Sequence, residues 1–197
     1  MIELRVEQNF IDSADLKYQA AQTLSKPIAQ AVQAILVSLT SGGKILSCDD
    51  GMSIGAAKYF SAQLVGQFER SRPELAALAL STEAIALGEE GGEQSFVRAL
   101  ARQVRALGSS GDVLVAITST GNSERVMAAI DAAHEREMVV IGLSGQSGGA
   151  LKQLLRDTDI HIPVPSDRAV RVQEVNLLTL HCICDLVDIQ LLGELEV

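Results

Sequence analysis

Tryptophan is absent from this 197-residue chain, and aromatic residues make up only 3% of it. So few rings leave no stacking platform for single-stranded nucleic acid. Bases are also scarce: 16 Lys and Arg stand against 25 Asp and Glu, a net charge of -9. Broad electrostatic binding to DNA, RNA or an anionic bilayer needs a basic face and is excluded. No apolar run reaches the ~18 residues of a membrane span. The N-terminus, MIELRVEQNFIDSADLK, carries charges every few residues and lacks the apolar core of a signal peptide. These absences predict a cytoplasmic protein without a membrane or direct nucleic-acid partner.

Cysteine is too sparse and too odd in number for a disulfide framework: Cys48, Cys182 and Cys184. Cys182 and Cys184 sit two apart in a helical stretch, so their side chains diverge. Neither has a sequence neighbour that completes a zinc set, and all three read as small buried hydrophobes in a reducing compartment. Two nucleotide signatures are missing as well. Neither G-x-x-x-x-G-K-[ST] nor G-x-G-x-x-G occurs, which leaves a P-loop or dinucleotide site unsupported.

Hydrophobic residues, at 47%, are plentiful enough for a core. The length suits one domain, 1–197. No repeat or linker breaks it, and the four prolines (Pro27, Pro73, Pro163 and Pro165) fall between periodic segments. Two helices are expected over 1–42, the second starting at Pro27. From 43 onward short apolar runs alternate with amphipathic segments. Strands are expected at KILSC (44–48), LAALAL (75–80), DVLVAIT (112–118), MVVIGLS (138–144) and DIHIPV (159–164). Helices are expected over 53–67, 93–107, 123–136, GGALKQLLRD (148–157) and 168–192. In the helix over 93–107, Val97, Leu100, Val104 and Leu107 form one stripe. The alternation predicts a doubly wound α/β domain with a five-stranded parallel sheet, extra N-terminal helices and a long C-terminal helix. The last helix, LLTLHCICDLVDIQLL over 177–192, is apolar nearly all round. Such a helix is either a subunit interface or a central core element.

Ligands in such sheets bind beyond the strand C-terminal ends, which directs attention to the loops there. The strongest signal is AITSTGNSERV over 116–126. A buried strand runs into Thr118, Ser119, Thr120, Gly121, Asn122 and Ser123, where a helix begins. Hydroxyls and free backbone N–H groups at a helix N-terminus suit a phosphate. The alternative is an ordinary capping serine in a polar loop. The loop Cys48-Asp49-Asp50-Gly51-Met52-Ser53 has a similar form, with Gly51 permitting a tight turn. GQSGG (145–149) is a flexible turn and a weak signal.

Taken with GGKILSC, QFERSRPELAALALST, RQVRALGSSGDVLVAITSTGNS, AAHEREMVVIGLSG and RVQEVNLLTLHCICDLVD, these loops resemble the sugar isomerase (SIS) domain family. The likeness runs nearly ungapped from about residue 5 to residue 192. It is to the branch that holds phosphoheptose isomerase and the DnaA initiator-associating protein DiaA. The resemblance implies a sugar-phosphate cradle made by Ser53, Thr118, Ser119, Thr120 and Ser123. It implies an enediol isomerisation in which a carboxylate and a histidine exchange protons. His181 matches the histidine, but Gln63 holds the carboxylate position, and an amide has no base to offer. It also implies, in some members, a zinc ion. Here Tyr59 and Gln63 replace two of the four ligands, and only Gln173 and His181 are of the family type, so no cofactor or metal is expected. On the rim, Asp49, Asp50 and Met52 depart from C-G-N-G-G-S, placing two carboxylates beside an anion site. Gly92-Glu93 replaces an Asn-Asp pair.

On these departures the resemblance implies a catalytically degraded SIS protein of the DiaA type. Such a protein binds the N-terminal domain of DnaA, and also a sugar phosphate, as a homotetramer built as a dimer of dimers. The segment 1–42 would lie in the oligomer interface and Leu191 and Leu192 on the partner surface, their alternative being burial in the helix bundle. His181 would then be a packed residue, and no turnover of sedoheptulose 7-phosphate is expected. Two alternatives stand. One is a phosphoheptose isomerase, converting sedoheptulose 7-phosphate to D-glycero-D-manno-heptose 7-phosphate. The other is a sugar-phosphate sensor.

Overall fold

A computed structural model describes residues 1–51, 55–81 and 93–193. In chain order the elements are α1 (Ile2–Thr40), β1 (Ile45–Asp49), α2 (Ala56–Val65), β2 (Ala77–Ala79), α3 (Glu93–Leu107) and β3 (Val113–Ile117). They continue with α4 (Glu124–Glu135), β4 (Val139–Ser144), α5 (Gly149–Leu154), β5 (Ile160–Pro163) and α6 (Ala169–Leu192). The sheet has five parallel strands in the order β2-β1-β3-β4-β5. The doubly wound α/β expectation holds.

Strand alternation divides the core in two. Ile45, Val113, Val115, Ile117, Ile141 and Leu143 face α1, α2 and α6. Leu46, Cys48, Leu114, Ala116 and Val140 face α3, α4 and α5. Every residue of β3 is buried, as a central parallel strand covered on both faces requires. Each such buried Val, Leu or Ile contributes about 1.5–3 kcal/mol of transfer free energy. The chain leaves β1 toward β2 on one side and toward β3 on the other. The β1/β3 boundary is therefore the switch point where loops part and a crevice opens.

Three local expectations are corrected. The first 40 residues form one helix, not two, and Pro27 lies inside it. Proline costs one intrahelical bond, but the same face buries Leu16, Ala20 and Leu24 before it and Ala31, Val32 and Ile35 after it. Packing on both sides of the proline holds the two halves in one helix. Next, α2 begins at Ala56 rather than 53, behind Gly55 in the left-handed region (φ 69°). Finally, Leu107 is exposed, while Ala99, Leu100, Ala101 and Val104 are the buried residues among those described on α3. Leu107 is the last residue of α3.

Helix α6 is a core element along one side only. Val172, Val175, Leu180, Ile183 and Val187 are core, whereas Leu177, Leu178, Leu191 and Leu192 are exposed. By length and composition α6 could cross a membrane, yet 44% of its most apolar stretch is buried within this domain.

Candidate functional site

The loop after β3 is organised by its own hydroxyls. Thr118 is fully buried, and its Oγ1 accepts the N–H groups of Thr120 (3.3 Å) and Gly121 (3.2 Å). Thr118 thus shapes the cradle from beneath. Thr120 is exposed, and its Oγ1 accepts Asn122 N–H at 3.3 Å. Ser123 stands at the N-cap of α4 but makes no side-chain capping bond. Its hydroxyl is not spent on the role that the alternative reading gave it. Ser119 is only 2% exposed, and its Oγ has no hydrogen-bond partner among the described residues. An unpaired buried hydroxyl costs about 1–3 kcal/mol, which a ligand oxygen would recover.

Gly121 is required where it is. Its φ is 77°, and a Cβ there would lie 2.1 Å from the carbonyl oxygen of Gly148. The loop is buttressed at that point by α5: Leu151 N–H donates to Gly121 O (2.9 Å) and Ala150 N–H to Asn122 Oδ1 (3.0 Å).

Across the switch point, the two carboxylates of the first loop take separate tasks. Asp49 turns to its own loop and to the start of α2, accepting Gly51 N–H (2.9 Å) and Ala57 N–H (3.1 Å). Asp50 is buried and reaches the other loop, where its Oδ2 accepts Ser119 N–H at 3.4 Å. Arg125 of α4 fixes this loop by donating to Asp50 O at 2.6 Å, with its guanidinium 4.5 Å over the Phe96 ring. Cys48 lies behind them. Burial, then Asp49 and Asp50, push its thiol far above the ordinary value, so it is no nucleophile. Ser53 and Gly92 lie outside the described residues, as does the side chain of Glu93.

The helices α2 and α6 bring the remaining residues together. Tyr59 and Gln63 lie one turn apart on α2. Tyr59 Oη and His181 Nε2 are 2.9 Å apart, and Phe68 lies against the imidazole with ring centroids 5.7 Å apart. All of Tyr59, Gln63, Gln173 and His181 are half-buried. Gln173 stands eight residues before His181 on α6, about 12 Å along the axis. The residues present do not fit a zinc ion. Tyr59 occupies Nε2 of His181, and the position beside it offers a neutral amide. Leu191 and Leu192 are exposed in the last turn of α6, ahead of Gly193, not buried in the bundle.

Sequence reasoning missed Arg72, Arg125 and Phe68. Arg72 is the most consequential: its buried guanidinium holds Asp188 of α6 (2.6 Å) while donating to the carbonyls of Gln63 (2.7 Å) and Leu64 (2.8 Å). It ties the end of α2 to α6 below the Tyr59–His181 pair. Nothing in the local pattern QFERSRPE signals a buried ion pair.

A parallel 2-1-3-4-5 sheet with a hydroxyl-rich crevice at its switch point is a doubly wound α/β architecture. The chain belongs to the SIS domain family, whose model matches residues 9–145. Within that family its likeness is to phosphoheptose isomerase. It is 54% identical to the phosphoheptose isomerase of Methylibium petroleiphilum, over 98% of this chain and 97% of that one. Among solved structures, phosphoheptose isomerase GmhA from Neisseria gonorrhoeae is 40% identical with a TM-score of 0.87, covering 95% of this chain and 99% of the other. A phosphoheptose isomerase from Francisella tularensis is 38% identical with a TM-score of 0.89, covering 95% and 98%. These findings overturn the expectation of a DiaA-type regulator of DnaA. Relatives 48–54% identical over nearly the whole chain carry the isomerase name. The segments that carried the resemblance run through the buried strands and helices common to the branch, and so could not choose between its members.

Proposed function

We propose that this chain is a sugar-phosphate isomerase interconverting sedoheptulose 7-phosphate and D-glycero-D-manno-heptose 7-phosphate. The observation that carries the reading is the Tyr59–His181 hydrogen bond, which pairs a phenol with an imidazole between α2 and α6 as an acid–base couple. The isomerase names of the near-full-length relatives agree with it and suggest the substrate class.

The reaction moves a hydrogen from C1 to C2 of the ketose as the carbonyl moves from C2 to C1. In this reading neutral His181 takes the C1 proton, since Gln63 cannot. Tyr59 gives its phenolic proton to the C2 oxygen, producing the enediol. The imidazolium then returns a proton to C2, and the phenolate takes the proton of the C1 hydroxyl as the aldehyde forms. Thr120, Ser123 and the Ser119 hydroxyl would hold the phosphate, with Ser53 the further candidate. Gln63 would donate its amide to a sugar oxygen.

Turnover of sedoheptulose 7-phosphate, followed by NMR, tests the proposal. Turnover is expected without added zinc. His181→Ala should lower kcat by on the order of 100-fold, and Tyr59→Phe should lower it as well. A folded wild-type protein with no turnover, with or without zinc, would overturn it. We propose further that the chain works as a homo-oligomer, a dimer or a dimer of dimers. An apolar groove of about 310 Å³ between α1 and α6, lined by Leu24, Ile28, Val175, Leu178 and Leu186, supports that reading.

A further inference from the structure

We propose that Asp50 is an internal anion that sets the affinity and selectivity of the phosphate cradle. This deepens the reading above and rests on it for the identity of the cradle. Two carboxylates entered the first loop, and an incoming phosphate tolerates them only if they turn away. Asp49 does so, since its oxygens are held by Gly51 N–H and Ala57 N–H. Asp50 does not. Its Oδ2 sits on Ser119 N–H, a backbone donor of the loop proposed to take the phosphate.

Three observations show that this arrangement is built. Asp50 is 7% exposed, so its carboxylate is held within the crevice and not waving in solvent. Its backbone is pinned by Arg125, which itself rests on Phe96. The Ser119 hydroxyl, on the residue whose amide Asp50 occupies, is buried and unpartnered. One group on Ser119 is therefore satisfied by a carboxylate, and the other awaits an oxygen from elsewhere.

A phosphate oxygen that took both Ser119 groups would have to displace Asp50 or lie within a few ångströms of it. Like charges at that range repel, and the repulsion is stronger in a partly buried crevice than in water. Arg125 offsets part of this charge, but its guanidinium is already engaged with the Asp50 carbonyl. The consequence is selectivity. A bare anion such as inorganic phosphate gains little from the cradle. A sugar phosphate, whose hydroxyls add contacts, gains enough to move Asp50 aside. The cradle is thereby kept from filling with the phosphate of its surroundings.

The test is calorimetric titration of the full chain with inorganic phosphate at low and high salt. Wild type is compared with Asp50→Asn and Asp50→Ala. Asp50→Asn keeps an acceptor for Ser119 N–H and removes the charge. It should bind phosphate about tenfold more tightly, a difference of ordinary size for one like-charge contact. The gain should shrink as salt rises, because screening weakens the repulsion in the wild type. Asp50→Ala should bind more tightly too. In turnover, both variants should be inhibited by phosphate at lower concentrations than wild type. If both variants fold and bind phosphate no better than wild type, Asp50 is not a competing anion and the proposal fails. That failure would leave the isomerase reading intact, since turnover is measured separately. Absence of turnover with the predicted phosphate shift would sink the isomerase reading alone.

Discussion

Gly121 shows how narrowly single residues are constrained at this site. Its positive φ and the 2.1 Å approach to Gly148 O leave no room for a methyl group. Gly121→Ala should therefore cost about 1–3 kcal/mol, read as a lower denaturation midpoint, and should move the hydroxyls of Thr120 and Ser123. The cysteines give a second residue-scale prediction. Burial, then the neighbouring Asp188, push the Cys184 thiol up to about 12. Cys48 is raised further, and Cys182 is raised and only half-buried. At pH 8 each is therefore mostly protonated and unreactive. Alkylation of the native protein should label Cys182 first and Cys48 only after unfolding, as peptide mass mapping will show. Early labelling of Cys48 would contradict the packing described for β1.

Among the elements, the junction of α2 with α6 decides the site. Arg72 and Asp188 are both 1% exposed and sit 2.6 Å apart. A buried pair of this kind adds little over an apolar substitute, but losing one partner strands a charge. Arg72→Ala should cost about 3–5 kcal/mol in a denaturant titration. The double change Arg72→Met with Asp188→Leu should recover most of that, because no charge is left unpaired. Helix α1 makes the complementary point. Pro27 reads locally as a helix start, yet the helix runs through it. The apolar face that α1 lays on the sheet outweighs one missing hydrogen bond.

At the scale of the molecule, the proposed oligomer has a place to form. Apolar side chains remain exposed along α1 (Ile2, Leu4, Phe10, Tyr18) and α6 (Leu177, Leu178). A second copy of the chain packed on these helices would cover them. Light scattering at micromolar concentration should report a homo-oligomer, and Leu178→Glu should shift it toward the monomer. A monomeric wild type would remove that proposal. The net charge of -9 is not confined to the outer surface. Part of that charge lies inside the crevice itself, at Asp49 and Asp50.

Much of this was legible in sequence because it depends on short-range periodicity. Strand β3 announced itself as DVLVAIT, and the hydroxyls of 118–123 stood where a strand must give way to a helix. Family membership followed from segments along almost the whole chain. The branch member did not. A few rim positions such as Tyr59 and Gln63 pointed to a dead site, and the segments common to the branch could not weigh against them. Only the tertiary structure joined Tyr59 to His181, 122 residues apart, and Asp50 to Ser119, 69 apart. It alone buried Arg72 against Asp188, 116 residues away. Hydrogen bonds and ion pairs across such separations have no sequence period, because they depend on where two packed elements cross. The residues themselves determined which elements form and which face each one buries. The crossing of α2 with α6, and the meeting of two loops at the switch point, decided what those residues can do.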